Sequence, residues 1–156
     1  MNSISAYGGI SPMPGNDRLC TQSRLNDSAV CQQVALFLQE TEGDAQTRGL
    51  SVAMVGPEGE LIAFGAHARC PPLPRQLAQR KAWTALRFRR PTARLAEEVS
   101  AGSLRLEVFH DPQLLAMPGG APVMLDGLAI GGVGVSGLPP ELDAELAAQF
   151  VQRLMT

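Results

Sequence analysis

The stretch GGAPVMLDGLAIGGVGVSG, residues 119–137, decides the fold class. At its centre Asp126-Gly127 separates two apolar runs. Both central residues of a two-residue hairpin turn need positive φ, which Asp tolerates and Gly adopts freely. Val123-Met124-Leu125 therefore reads as a strand and Leu128 to Val135 as its antiparallel return. Met117 to Pro122 is a glycine-rich bend before the hairpin, and Ser136-Gly137 closes it. Pro139 and Pro140 then open a last helix, Glu141 to Leu154, with Leu142, Leu146 and Phe150 on one face. Glu141, Asp143 and Glu145 lie in its first turns, where the helix dipole favours negative charge.

Upstream, the punctuation is equally regular. A first helix is expected to start near Asn26, Asp27 or Ser28, whose side chains can accept orphan backbone N–H groups. Val30, Val34, Phe37 and Leu38 follow at helical spacing, with Gly43 and Gly49 marking the exit. Leu50 to Val55 and Glu60 to Phe64 flank Gly56-Pro57-Glu58-Gly59, which predicts a second hairpin. Pro74 opens a helix running to about Arg89, since a proline at a first turn sacrifices no hydrogen bond. Ala78, Ala82 and Ala85 form a small-residue stripe along it. Pro91 breaks the pattern, and Thr92 is expected to cap a short helix from Ala93 to Val99. Leu104 to Phe109 reads as strand or irregular chain. Adjacent antiparallel strands with helices between the hairpins indicate an α+β domain rather than a doubly wound parallel sheet.

The 156 residues suit one domain over 26–156, with a flexible arm expected over 1–25. The apolar fraction of 45% suits a folded core, and the aromatic fraction of 4% is low for a base-stacking platform. With a net charge of −2, no nucleic-acid partner is expected. No apolar run reaches the roughly 20 residues needed to span a bilayer, so no membrane partner is expected either. Cys20, Cys31 and Cys70 match no zinc or redox spacing, and no metal is expected. Reduced thiols favour the cytoplasm. Cys31 reads as core, and Cys70, in a Pro-rich loop, as exposed.

Three segments carry a family resemblance. The 119–137 stretch resembles a Gly-Gly-x-Pro, Asp-Gly, Gly-x-Ile-Gly-Val-Ser-Gly signature. Leu77 to Ala85 (LAQRKAWTA) is similar to an Ala-x-x-Lys-Ala-x-Thr-Ala helix, and Glu58 to Phe64 to a Gly-x-Leu-x-Ala-Phe hairpin. Together they resemble the GlcG/HbpS-like family (domain of unknown function 336) over residues 26 to 154. The resemblance implies a profilin-like sandwich with a five-stranded antiparallel sheet. It also implies a homo-oligomer, dimer to octamer, and a small-molecule ligand, with haem among the family's ligands. One element departs: Gly65 to Pro72 lacks the family's Met-Asp-Gly stretch.

The candidate chemistry is scattered. Lys81 and Thr84 share a helix face at i, i+3. Lys81 could hold a ligand carboxylate or pair internally with Asp143; Thr84 could hydrogen-bond a ligand or simply pack. Seven of the thirteen basic residues fall between Arg75 and Arg94, with no acidic residue among them. They read as a solvated helix face with a subunit contact, or as an anion site in which Arg90 joins Lys81. His67 is a candidate base or haem ligand, with His110 behind it. Gly119, Gly120, Ser136 and Gly137 could offer backbone N–H groups to an anion or make tight bends. Ser136 has no evident base beside it. Two functions follow: binding of haem or another carboxylate-bearing ligand, or a small cofactor-independent lyase or isomerase acting on an organic acid through His67, Lys81 or Asp143. An accessory subunit with a vestigial cavity is a third.

Overall fold

A computed structural model describes residues 22–156. The arm expected over 1–25, and Cys20 with it, falls outside the described residues up to position 21. From there the order is α1 (Asp27–Glu42), β1 (Ser51–Val55), β2 (Leu61–Ala66), α2 (Pro72–Phe88) and α3 (Thr92–Ser100). A 3₁₀ turn (Leu106–Phe109), β3 (Gly120–Leu125), β4 (Leu128–Ser136) and α4 (Pro140–Met155) complete it. The expected helix–hairpin–helix pair–hairpin–helix order is observed. Asn26 caps α1 by accepting from the Ala29 N–H at 3.0 Å. Asp126 and Gly127 take φ of 49° and 78°, as the hairpin turn requires.

The expected five-stranded sandwich is not what forms. The described residues make one open, antiparallel, four-stranded sheet in the order β2-β1-β4-β3. The segment available for a further strand, Leu104 to Phe109, winds into the 3₁₀ turn and ends at His110 with φ of 50°. Val108 and Phe109 are exposed there, so no buried face draws the segment into the sheet.

The two sheet faces carry different side chains because the strand period is two. Val52 and Met54 of β1 and Val133 and Val135 of β4 point to one face, into a core with Val34 and Phe37 of α1 and Leu146 and Phe150 of α4. Phe37 and Phe150 meet edge to face at 5.1 Å. Ala53 and Val55 point to the other face, against Ala78, Ala82 and Leu86 of α2. The alanine stripe has its partners in β4. A Cβ on Gly134 would strike the Ala78 carbonyl oxygen, and one on Gly132 that of Ala82. Small residues on both sides bring α2 backbone to backbone with the strand, and this close seating sets where Lys81 points.

Both cysteine expectations are reversed. Cys31 is exposed, because the buried stripe of α1 runs through Val30, Val34 and Phe37 and leaves position 31 on the rim. Cys70 is buried, in a loop folded inward by its own N–H donating to the His67 carbonyl at 2.9 Å.

Candidate functional site

Lys81 projects from the middle of α2 and is only 1% exposed. Its ammonium has three N–H groups and three acceptors: the Val135 carbonyl at 3.0 Å, Ser136 Oγ at 3.1 Å and Asp143 Oδ2 at 3.1 Å. Asp143 comes from the first turns of α4. That helix starts at two prolines and has no side-chain cap, so the Asp143 carboxylate reaches back and accepts from the Leu138 N–H at 3.1 Å. The internal-pair alternative for Lys81 is thus present as a buried salt bridge. Ser136 has an amine beside it after all; sixty-odd residues of chain separate Lys81 from Asp143, and spacing along the chain does not reveal the meeting.

Burial lowers the Lys81 pKa from its ordinary 10.5, with Asp143 charge and hydrogen bonding opposing the shift. Burial likewise raises that of Asp143 from 3.8, opposed by Lys81 and by the backbone N–H groups of Leu138 and Gly137. The two proton affinities are drawn toward each other, which eases passage of a proton between Lys81 and Asp143.

Above the pair lies a cleft of about 210 Å³. Leu77, Met117, Pro118 and Leu138 form apolar walls, and Lys81, Ser136 and Asp143 line its polar part. Gly119 sits against it with φ of 120°; a Cβ there would come within 2.9 Å of Lys81 Nζ and also strike the Val135 carbonyl oxygen. Gly119 accepts from the Val135 N–H at 2.7 Å. Gly137, with φ of 122°, has no room for a Cβ beside the Gly49 carbonyl. Among the candidate residues, Lys81, Asp143, Ser136, Gly119 and Gly137 therefore converge on one cleft.

The others lie elsewhere. Thr84 Oγ1 donates to the Arg80 carbonyl at 2.7 Å and accepts from the Leu115 N–H at 2.9 Å, a tie within the fold. Gly120 donates to Thr92 Oγ1 at 2.8 Å. Arg90 pairs with Glu98 at 3.1 Å, on the α3 side of α2. His67 is buried with both ring nitrogens engaged: Nδ1 accepts from the Gly49 N–H at 3.0 Å, while Nε2 lies 3.0 Å from the Leu38 carbonyl and 3.1 Å from Thr41 Oγ1. The Gly49 bond leaves Nδ1 bare and puts the proton on Nε2. His67 fastens the end of α1 to β1. His110 is exposed at the 3₁₀ turn.

Most of the basic run is also committed to the fold. Arg75 donates to the Cys70 and His67 carbonyls. Arg80 gathers the carbonyls of Pro112, Gln113 and Leu114 at 3.0–3.3 Å. Arg87 lies over the Trp83 ring at 4.9 Å. A guanidinium offers five donors in a fixed fork, which suits collecting loop carbonyls as well as binding anions.

Two residues that matter to the cleft were missed by the sequence reading. Arg80 straps down the loop leading to Met117. Thr92 does not cap α3; its hydroxyl donates to the Met117 carbonyl at 2.5 Å while accepting from Gly120, and so sets the bend at the cleft rim. A threonine after a proline signals a helix start, and nothing in the local pattern separates that role from this one. Larger depressions, of about 310 and 330 Å³, lie beside Arg87, but neither holds a buried ionisable group.

A family model described as "Haem degrading protein HbpS-like" matches residues 28–152. Protein GlcG of Escherichia coli strain K12 is 36% identical over 97 residues, 62% of this chain and 71% of that protein. The crystal structure of a Streptomyces reticuli HbpS double mutant superposes with a TM-score of 0.76 at 26% identity, over 94% of this chain and 97% of that one. A complex of PduOC with haem superposes with a TM-score of 0.73 at 25% identity, over 83% and 94%.

Proposed function

We propose that this chain, which belongs to the HbpS-like family, is a small-molecule-binding protein whose ligand occupies the cleft above Lys81, Ser136 and Asp143. The observation that carries the reading is the buried Lys81–Asp143 pair lining a cleft with apolar walls. A buried ion pair is a weak source of stability, because desolvation offsets its attraction. Converging polar groups within an apolar-walled cleft are the usual composition of a ligand site.

The occupant is small. Drug-sized ligands occupy about 300–1,000 Å³, and this cleft offers about 210 Å³. The haem complex of PduOC favours haem as a second reading, but the cleft does not fit a porphyrin. Its volume is too small, and His67, the histidine expected to serve as a ligand, is buried with both nitrogens engaged. Haem bound by this chain would rest on another surface.

Exposed Leu61, Phe109 and Leu128 support self-association of the 26–156 domain. The free thiols of Cys31 and Cys70 support a reducing, cytoplasmic setting. Among the described residues no helix is long and apolar enough to cross a membrane.

The test is a screen of small organic acids, alcohols and haemin against the protein and Leu77→Trp, which fills the cleft from a half-buried helix position. A small ligand whose affinity falls at least tenfold in the variant is expected. Small ligands that all bind both proteins equally would remove the cleft as the site. A haemin Soret shift lost in Leu77→Trp would overturn the size argument.

A further inference from the structure

The hydrogen-bonding capacity left over in the cleft specifies the ligand's chemical class. Lys81 has three N–H donors, and all three are engaged by Val135, Ser136 and Asp143. The amine therefore has nothing left to offer a ligand carboxylate. Ser136 Oγ accepts from Lys81, but among the described residues its own hydrogen has no acceptor. Asp143 has about four lone-pair sites. Lys81 and Leu138 fill two of them. One donor, the Ser136 hydroxyl, and about two acceptor sites on Asp143 remain. The ionised pair sums to zero charge.

Resting on the proposed site, we infer that the cleft selects a small uncharged hydroxylated molecule, a short-chain alcohol or diol, over a carboxylate. A ligand hydroxyl accepts from Ser136 and donates to Asp143. Its hydrocarbon part lies against Leu77, Met117 and Leu138. A carboxylate has no proton to give Asp143, brings a second negative charge beside it, and finds no free donor on Lys81. Burying that uncompensated charge is the larger cost.

The test compares pentane-1,2-diol with pentanoate, which share a chain length, by saturation-transfer NMR at pH 7. Four proteins are used: the native chain, Ser136→Ala, Ser136→Thr and Leu77→Trp, each checked for native circular dichroism. The diol is expected to bind saturably to the native chain. Its affinity should fall at least fivefold in Ser136→Ala, recover in Ser136→Thr, which keeps a hydroxyl, and vanish in Leu77→Trp. Pentanoate should bind at least tenfold more weakly. Tighter binding of pentanoate that is lost in Leu77→Trp would overturn the ligand class and leave the site standing. Diol binding unchanged in Ser136→Ala would also overturn the class. Failure of both probes to bind, or binding insensitive to Leu77→Trp, would overturn class and site together.

Discussion

Lys81 Nζ lies 3.1 Å from Asp143 Oδ2, and neither side chain is more than 4% exposed. One group belongs to the helix on the sheet's α2 face and the other to the start of α4, so the pair joins the two layers at the edge of the cleft. Breaking such a pair strands a buried charge. Lys81→Met and Asp143→Asn are each expected to lower unfolding free energy by about 3–5 kcal/mol. The double variant Lys81→Met/Asp143→Leu should recover most of that loss, since an apolar pair has no charge to desolvate. Urea unfolding measures all three. Single variants as stable as the native chain would show the pair to be solvated.

His67 is expected to matter for stability and not for binding. Removing its ring leaves the Gly49 N–H without its partner, at about 1–3 kcal/mol for a stranded group. His67→Ala should lose roughly that much in urea unfolding while ligand affinity at fixed folded fraction stays unchanged. A stable variant with lost affinity would restore the functional reading of this histidine.

The seating of α2 on β4 is expected to tolerate no added carbon. Gly134→Ala places a methyl group against the Ala78 carbonyl, backbone that has no rotamer to yield. The cost should be about 3 kcal/mol or more. Gly43→Ala, where a Cβ meets nothing within 4 Å, is the control and should leave the melting temperature nearly unchanged.

Local chemistry was readable where it acts over a few residues. Asn26 capped its helix, Asp126-Gly127 made its turn, and the Ala78/Ala82 stripe did mark a close approach. The contents of the cleft were readable as residue types, Lys81, Asp143 and Ser136, but their meeting depends on how α2 and α4 settle on opposite faces of one sheet. The basic run misled for the same reason. Arg80 faces three loop carbonyls and Arg90, just past the end of α2, a glutamate eight residues on, and neither set of partners lies within α2. His67 looked reactive because imidazole usually is; its two backbone partners, Leu38 and Gly49, come from the last turns of α1 and the turn before β1. The extra strand failed because Leu104 to Phe109 has β-competent residues but no buried face to receive them.

The most direct test of the central claim is a backbone-amide NMR titration of the native chain with pentane-1,2-diol. Binding in the cleft predicts shifts confined to Lys81, Gly119 and Ser136 to Leu138, saturating together. Shifts centred instead on Arg87, Phe109 and Leu128, with those cleft amides unmoved, would contradict it and move the ligand to the depressions beside Arg87.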